Sequence, residues 1–369
     1  MRTILFGNIE RWSSAVDIII KYRSDIQIIG LSSLELGPFK DSDATVTLDE
    51  AKELFSSGIV DSIVNISTEN EQYYELLKEN GFSNIYGLPY YLYRQEDNYF
   101  IEDECFVYPY KDIKPVLQNL EFHLADHCNL NCKGCAHFAN LVPYPVFADL
   151  EQFKKDCRQL SILFSNIQEF YLLGGEPLLN ADIADYIVVV REFFPYANLK
   201  IVTNGLLLLA MKADVISCIR ENRVVISVSA YQCLDMEKIY GFVEEYSLNV
   251  EYRMVEGNGK EWFTKYINPM GNSDAKEIFA QCPRSSCTFL EKGRMAACCN
   301  PFVIKYFNQY FGEDIPEMEA IDLYEPGLTG REVLKRLKTP MDLCRYCGKD
   351  EFFLWDIAKP PYKKEDWCI

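Results

Sequence analysis

Short β-branched runs alternate with stretches of helical periodicity along most of this 369-residue chain. The alternation is typical of βαβ units around a parallel sheet, because a crossover helix joins each pair of parallel strands. In the N-terminal part, TILFG, IQIIGL and DSIVNIS predict strands, and helices are expected over Ser13–Lys21, Leu48–Ser56 and Glu69–Asn80. We predict a small Rossmann-like domain over 1–98. Its first turn has Gly7 alone where dinucleotide-binding turns have three glycines, which favours a docking or substrate-handling role.

A second series of strand–helix units follows an acidic and aromatic linker over 99–119. The runs LEFHLA, EFYLLGG, LKIVTNG, VVISVSA and NVEYRMV predict strands, with helices over Glu151–Phe164 and Ile183–Phe194 between them. The pattern favours an α/β fold with an open or partial (β/α) barrel over 120–275, whose site lies at the carboxyl ends of the strands. From 276 to 369 the chain is cysteine-rich and irregular, which indicates a small domain held by metal.

The charge balance and the cysteine content narrow the function classes. A formal net charge of −18 disfavours nucleic acid as the main partner, since phosphate binding needs clustered Lys and Arg. No segment approaches the roughly 18 apolar residues of a membrane span, and the start MRTILFGNIERW lacks a secretory cleavage site, so we expect a cytoplasmic protein. In that reducing compartment, fourteen cysteines indicate metal or cluster ligation rather than disulfides.

Three cysteines lie in a short loop directly after the predicted strand LEFHLA, at Cys128, Cys132 and Cys135. A [4Fe–4S] cluster normally takes four thiolates, so three from one loop leave one iron open for an exogenous ligand. The alternative is a structural zinc site, because zinc prefers four protein ligands. That site would be completed by one of the three histidines, His123, His127 or His137.

The run CNLNCKGC resembles the signature loop of the radical S-adenosylmethionine (SAM) superfamily. The resemblance implies that the barrel over 120–275 is a partial (β/α)6 barrel and that the open iron binds the amino and carboxylate groups of SAM. It also implies that a reduced cluster donates one electron, which cleaves SAM to methionine and a 5′-deoxyadenosyl radical that abstracts a hydrogen atom from substrate. Many members carry an aromatic residue before the third cysteine, where it packs on adenine, whereas this chain has Gly134. We therefore expect another group to hold adenine, with Phe138 as the candidate.

The motif Gly174-Gly175-Glu176-Pro177 follows the next predicted strand. Its glycines allow a backbone to approach a ligand closely, and Glu176 offers an acceptor for an ammonium group. It resembles the family's GGEP motif, which binds the methionyl amine of SAM. On its own, the same run is also typical of a strand-to-helix turn with proline at the first helical position.

Polar side chains also follow or line the later strands. Thr203 and Asn204 end LKIVTNG, and Ser227 and Ser229 share one face of VVISVSA because alternate strand residues point the same way. The resemblance places these groups at the SAM ribose, whereas turn capping and ordinary strand hydroxyls are the alternative. Arg253, in the last strand, is a candidate for binding a carboxylate of SAM or substrate, with a surface salt bridge as the alternative.

A second cysteine set lies in the C-terminal segment. Cys282 and Cys298 flank Gly293, and Cys344 and Cys347 form a CxxC pair. The layout resembles the auxiliary-cluster domain called twitch, the shorter relative of the SPASM domain, and implies one auxiliary [4Fe–4S] cluster. A four-cysteine zinc site is the alternative. Cys287 and Cys299 are alternative ligands, so the ligand set stays open. Adjacent residues of a strand face opposite ways, and Cys298 and Cys299 are therefore not both expected to ligate one cluster.

These features together predict a radical SAM enzyme with two [4Fe–4S] clusters and SAM. We expect it to oxidise or epimerise a small polar, carbohydrate-like substrate, such as a sugar or sugar nucleotide, with a flavodoxin or ferredoxin-type reductant. An epimerase needs a hydrogen-atom donor, for which Cys287, Cys299 and Cys233 are candidates, whereas a dehydrogenase needs a general base. A peptide-modifying maturase is the enzymatic alternative, and a zinc-binding structural or sensing protein is the non-enzymatic one. Cys105, Cys157, Cys218, Cys233 and Cys368 are otherwise expected to be buried small hydrophobes.

Overall fold

The chain forms two compact units in a computed structural model, which describes residues 1–36, 44–66, 70–88, 108–109, 114–254, 263–317 and 320–369. The first unit comprises Met1–Val116 with Phe164–Asn166, and the second comprises Leu117–Leu163 with Ile167–Ile369. The predicted barrel and C-terminal segments therefore belong to one unit. Most of the predicted linker lies outside the described residues. Within the described ranges, no helix is long and apolar enough to cross a membrane.

The first unit is an α/β unit around a five-stranded sheet. Its strands are β1 (Arg2–Phe6), β2 (Gln27–Ser32), β3 (Ser62–Asn65), β4 (Ile85–Gly87) and β5 (Tyr108–Pro109), and its helices are α1 (Trp12–Tyr22), α2 (Leu48–Ser56) and α3 (Asn70–Glu79). The strand order is β2-β1-β3-β4-β5, with parallel pairing except between β4 and β5. The strands and helices predicted from the first 80 residues are confirmed.

Helices cover both faces of this sheet because β1 is apolar on both sides. Leu5 packs with Ala15 and Ile19 of α1, whereas Ile4 packs with Ala51 of α2 and with α3. A run buried on both faces is typical of a parallel strand between two helical layers. The predicted parallel α/β architecture is therefore present in this unit.

The second unit contains an eight-stranded sheet in the order β10-β9-β8-β7-β6-β12-β13-β14 and a two-stranded sheet of β11 and β15. Its strands are β6 (Val116–Ala125), β7 (Asn166–Gly174), β8 (Asn198–Thr203), β9 (Val225–Ala230), β10 (Val250–Met254), β11 (Phe263–Ile267), β12 (Phe289–Glu291), β13 (Arg294–Ala296), β14 (Ile321–Asp322) and β15 (Cys347–Phe353). Its helices are α4 (Leu150–Leu163), α5 (Ile183–Phe193), α6 (Ala213–Glu221), α7 (Met236–Tyr246), α8 (Ala275–Gln281), α9 (Asn300–Phe311) and α10 (Gly330–Leu337).

Strands β7 to β10 pair in parallel and alternate with helices, as the sequence predicts. One sheet face packs against the helices, since Phe170 of β7 contacts Phe153 of α4 and Phe194 at the end of α5. The other face is polar. Lys200 on that face pairs with Glu169 at 3.5 Å and with Glu251 at 3.1 Å. The carboxyl ends of the strands form one edge, where the candidate site lies.

The C-terminal segment continues the same sheet, because β12 pairs in parallel with β6 and β13 pairs back onto β12. At the turn between them, Gly293 has a φ of +74° and its N–H donates to the buried carboxylate of Asp156 in α4 at 2.9 Å. The prediction of an irregular segment is wrong here. Helix α9 follows directly after Cys298 and Cys299 and buries Phe302 and Phe307.

Candidate functional site

The three-cysteine loop follows β6 at the carboxyl edge of the sheet. Burial raises the pKa of the Cys128 thiol to about 12. The nearby thiols of Cys135 and Cys132 add to that rise. Burial likewise raises the pKa of Cys132 to about 12, with Cys135 contributing next. A cationic metal centre is the species that would keep such buried sulfurs deprotonated.

N–H groups surround the three sulfur atoms. The Leu130 backbone N–H donates to Sγ of Cys128 at 3.4 Å, and the indole N–H of Trp355 donates to Sγ of Cys132 at 3.2 Å. Burial raises the pKa of Cys135, and the nearby backbone N–H groups of Ala139, His137 and Phe138 oppose that rise. In the contacts from Leu130 and Trp355 the sulfur atom accepts from an N–H group, which is the pattern that stabilises cluster thiolates. The residues present therefore fit a [4Fe–4S] cluster.

The histidines of the zinc alternative are engaged elsewhere. His123 contacts Asp126 at 2.9 Å through Nδ1 and His137 at 2.7 Å through Nε2, and Nδ1 of His127 contacts the Val146 backbone. In the part of the chain that the structure describes, no three His, Cys, Asp or Glu side chains are placed to hold a single metal ion. A cubane cluster instead takes one thiolate at each iron, so its ligands need not meet at one point.

The GGEP loop lies directly against the start of the cysteine loop. The N–H of Gly175 donates to the Ala125 carbonyl at 2.7 Å, and the N–H of Glu176 donates to the His127 carbonyl at 3.1 Å. A Cβ on Gly174 or Gly175 would overlap these same two carbonyl groups. Only glycine permits this approach, so the two motifs are fitted to each other through their backbones.

The buried side chain of Glu176 joins the GGEP loop to the end of β8. Its carboxylate accepts from the Thr203 hydroxyl at 2.7 Å, the Asn204 N–H at 2.8 Å and the Leu178 N–H at 3.0 Å. Burial raises its pKa, and these three donors oppose the rise. A carboxylate has about four acceptor sites, so one remains for the ammonium group expected from the sequence.

Asn204 connects β8 to the cysteine loop itself. Its Nδ2 donates to Sγ of Cys128 at 3.4 Å and to Oδ1 of Asn129 at 2.8 Å. Its Oδ1 accepts from the Leu206 N–H at 3.0 Å, which fixes the orientation of the amide. The structure therefore brings three separate predicted elements, the cysteine loop, GGEP and Thr203-Asn204, into one hydrogen-bonded constellation.

Ser227 and Ser229 are half-buried on the polar face of β9. Their register partners on β10 are Glu251 and Arg253, so the four side chains lie on the same face of the sheet. Val202, the partner of Ser227 on β8, lies two residues before Asn204. This polar face is therefore continuous with the constellation around Cys128.

Phe138 occupies a different place from the one expected. It has a φ of +51°, its side chain is fully buried, and its ring packs 5.5 Å from Phe307 and 6.3 Å from Trp367. A ring enclosed in the core presents no face to adenine, and we leave Phe138 out of the proposed SAM site. At Gly134, φ is +60°, and a Cβ would lie 2.6 Å from both the Phe353 ring and the Asp366 carbonyl.

The second cysteine set also converges. Burial raises the pKa of Cys298 well above its ordinary value, and the proximity of Cys347, Cys282 and Cys344 adds to the rise. The Asn300 side chain donates to Sγ of Cys347 at 3.6 Å. These four sulfurs are the ones that the spacing selects.

The remaining cysteines lie in several environments. Cys298 and Cys299 are in the turn before α9 rather than in a strand, but Cys299 is buried in the hydrophobic core. Cys157 is buried as expected, whereas Cys233 is exposed, which corrects the default expectation for it. Cys218 and Cys368 are half-buried, and Cys105 lies outside the described residues.

Two groups near the polar face were not found from the sequence. Glu121 of β6 contacts the Cys287 thiol, and Arg284 stacks 3.9 Å from the Tyr266 ring and pairs with Asp350 at 2.5 Å. Burial raises the pKa of Glu121 to about 7, which its contact with Cys287 partly opposes. The available signal for Glu121 was an acidic residue inside the mainly apolar strand LEFHLA.

The raised pKa of Glu121 predicts a pH-dependent stability. The pKa of the Glu121 carboxyl is higher in the folded state than in the unfolded state. Its contribution to stability is therefore fully present below about pH 4.5 and is lost as the pH rises through about 7. The free energy of unfolding of the wild type should therefore fall relative to that of Glu121→Gln between these limits, by up to about 3 kcal/mol. Urea titrations of both proteins at pH 5 and pH 8 measure the difference. An equal change in the free energy of unfolding of the two proteins between these pH values would contradict the prediction.

Residues 123–236 match the family model described as the radical SAM superfamily. That segment holds the three-cysteine loop, GGEP, Thr203-Asn204 and the serine pair, and the match supports a radical SAM enzyme. A curated relative, GTP 3′,8-cyclase of Limosilactobacillus fermentum, is 31% identical over 111 residues, which are 30% of this chain and 32% of the relative. The chain thus spans about a third of the length of that relative.

Solved structures show more distant likeness. BtrN in complex with AdoMet and 2-DOIA aligns with 64% of this chain and 95% of its own, at 16% identity and a TM-score of 0.40. SuiB of Streptococcus suis bound to SAM aligns with 58% of this chain and 64% of its own, at 12% identity and a TM-score of 0.34. At these TM-scores the likenesses do not resolve the substrate class.

Proposed function

We propose that this protein is a radical SAM enzyme whose cluster is held by Cys128, Cys132 and Cys135. The observation that carries the proposal is made by Asn204, whose side-chain amide donates to Sγ of Cys128 at 3.4 Å while its backbone N–H donates to the buried Glu176 carboxylate at 2.8 Å. Three motifs that are far apart in the sequence meet there with the donors and acceptors that cluster and SAM require. The family match over 123–236 supports the same conclusion.

When bound, the cluster and SAM supply a one-electron cleavage that yields a 5′-deoxyadenosyl radical. The protein's own residues position these groups. Glu176 offers its remaining acceptor site to the methionyl ammonium, and Gly174 and Gly175 allow the backbone of the cysteine loop to pack directly beside it. The polar face carrying Ser227 and Ser229 follows on from Asn204 and would hold the ribose.

The substrate is proposed to be a small polar molecule of carbohydrate-like chemistry that is oxidised or epimerised. The face of the sheet beside the constellation supports this, because it carries hydroxyl, carboxylate and guanidinium groups at Ser229, Glu251 and Arg253. Glu121 is suited to accept a proton in an oxidation, since its pKa of about 7 is near the operating pH. For epimerisation, Cys287 is favoured over the buried Cys299, because its thiol contacts Glu121 on this side of β6.

An auxiliary cluster on Cys282, Cys298, Cys344 and Cys347 is the second part of the proposal. The convergence of these four sulfurs and the donation from Asn300 support it. Arg284 lies close to Cys347, and a nearby guanidinium favours the more negative, reduced form of a cluster. The site is therefore suited to receive the electron that a substrate oxidation releases.

Anaerobic reconstitution with iron and sulfide tests this assignment. Two [4Fe–4S] clusters correspond to about eight irons per chain, and the cluster on the first cysteine set should change its electron paramagnetic resonance (EPR) spectrum when SAM is added. Two zinc ions per chain and no SAM-responsive signal would support the structural zinc protein instead. A double substitution of Cys344 and Cys347 by alanine should remove about half of the iron and leave the SAM-responsive signal.

A basic groove of about 690 Å³ is the proposed docking surface for the reductant. Lys154, Lys155 and Arg158 of α4 line it together with Lys292, in a chain whose net charge is −18. A local cationic surface on an acidic protein is complementary to an acidic flavodoxin-type donor, and such complementarity mainly raises the association rate.

Reversing the charge of this groove is expected to weaken electron delivery by a protein donor. A Lys154→Glu/Lys155→Glu variant should lose about tenfold or more in flavodoxin-driven SAM cleavage at low salt, with a smaller loss at high salt. Cleavage driven by dithionite should be unchanged, because this small reductant does not need the groove. The matched control reverses two exposed lysines of the α10 region, Lys335 and Lys338. Equal losses in both variants would contradict the assignment.

A further inference from the structure

The C-terminal segment from Phe353 to Trp367 contacts the cysteine loop along its length. Backbone N–H groups of Lys133 and Ala358 donate to the carbonyls of Asp356 and Asn131, respectively, each at 2.8 Å. The indole N–H of Trp367 donates to the carbonyl of Cys135 at 2.9 Å. The loop that binds the cluster is therefore held between the strand ends on one side and this segment, which we call the C-terminal clamp, on the other.

Gly134 shows that loop and clamp are fitted to each other. A Cβ at this position would lie 2.6 Å from Cζ of Phe353 and from the carbonyl oxygen of Asp366, so any larger residue would displace the clamp. The Lys133 ammonium also pairs with Asp366 at 3.4 Å. Glycine before the third cysteine is thus explained by the clamp occupying the space beside it.

Trp355 is the clamp residue that reaches a sulfur atom. Its Nε1 lies 3.2 Å from Sγ of Cys132, and its ring stacks on Tyr231 with centroids 4.9 Å apart and an interplanar angle of 30°. The Tyr231 hydroxyl lies at the same sulfur. The stack fixes the indole plane, so the N–H is directed at Cys132 rather than free to rotate away.

We propose that Trp355 is a positioning residue that tunes the reduction potential of the SAM cluster through its hydrogen bond to Cys132. This inference rests on the proposed function, because it assumes a cluster on the first cysteine set. Hydrogen bonds to cluster sulfurs are one of the principal determinants of iron–sulfur potentials. Donation to a thiolate stabilises the more negatively charged, reduced cluster, so the Trp355 N–H raises the potential and makes the one-electron reduction easier.

The test is the midpoint potential of the SAM-responsive EPR signal in full-length, reconstituted protein. Trp355→Phe keeps an aromatic ring against Tyr231 and removes the N–H donor. The equilibrium constant for cluster reduction should fall about tenfold. For a one-electron couple this moves the midpoint potential about 59 mV to a more negative value. Iron content should equal that of the wild type, which shows that the change is in potential and not in cluster assembly.

Trp367→Phe is the matched control within the same clamp. Its indole N–H donates to a carbonyl oxygen and not to sulfur, so the potential should stay at the wild-type value even if the fold is less stable. An unchanged midpoint in Trp355→Phe, or the same shift in both variants, would overturn the role of Trp355 and leave the proposed function standing. Absence of a SAM-responsive signal in the wild type would overturn the proposed function instead.

Discussion

Replacement of Cys132 by alanine is expected to abolish SAM cleavage. Cys132 is buried and lies between the strand ends and the C-terminal clamp, where its sulfur accepts from Trp355. Among the described residues, Cys128 and Cys135 are the other two cysteines of this loop, so no further loop cysteine can replace Cys132. Removal of groups around a metal ligand commonly lowers metal affinity or activity by about 10- to 100-fold. Removal of a ligand itself should therefore lower SAM cleavage by more than about 100-fold.

The control for this variant is Cys218→Ala. Cys218 is a half-buried cysteine of α6 whose thiol contacts the Ala184 carbonyl at 3.6 Å. It should retain full iron content and full production of 5′-deoxyadenosine under dithionite. Retention of SAM cleavage in Cys132→Ala, or an equal loss in Cys218→Ala, would show that the three-cysteine loop does not hold the reactive cluster.

Replacement of Gly175 by alanine is expected to cause a large loss of stability. The added Cβ would overlap the backbone of His127, which cannot move without displacing the cysteine loop. Overpacking against rigid backbone should lower the free energy of unfolding by about 2 to 4 kcal/mol. Because the displaced backbone leads directly into Cys128, cluster incorporation should fall as well.

Gly241→Ala is the matched control, since this glycine lies in α7 with nothing within 4 Å of its added Cβ. Alanine is favoured over glycine in a helix by about 1 kcal/mol, so this variant should be as stable as the wild type or more so. Urea unfolding of both variants gives the comparison. A Gly175→Ala protein with wild-type stability would mean that the two loops do not meet as described.

Much of the fold could be predicted from the sequence, because strand and helix periods alternate clearly up to β10. The strands LEFHLA and LKIVTNG appear as β6 and β8, and the helix expected over Glu151–Phe164 appears as α4 over Leu150–Leu163. The strand ends carry the polar residues that parallel topology requires there. The grouping of the three-cysteine loop, GGEP and Asn204 followed from that topology together with the resemblance of the motifs to those of radical SAM proteins.

The C-terminal part could not be predicted in the same way. Trp355 contacts Cys132 across 223 positions, and neither local periodicity nor spacing encodes such a pairing. Phe138 follows the cysteine loop closely, but its positive φ directs it into the core with Trp367. Gly134 stands where the resemblance leads one to expect an aromatic residue, and the structure relates the glycine to the position of Phe353.

Production of 5′-deoxyadenosine from SAM is the most direct test of the central claim. The reconstituted wild-type protein, incubated anaerobically with SAM and dithionite, should release 5′-deoxyadenosine and methionine even without substrate. The variant in which Cys128, Cys132 and Cys135 are all alanine should release neither above the background without protein. Wild-type protein that carries two zinc ions and yields no 5′-deoxyadenosine would contradict the claim and identify the cysteine sites as structural.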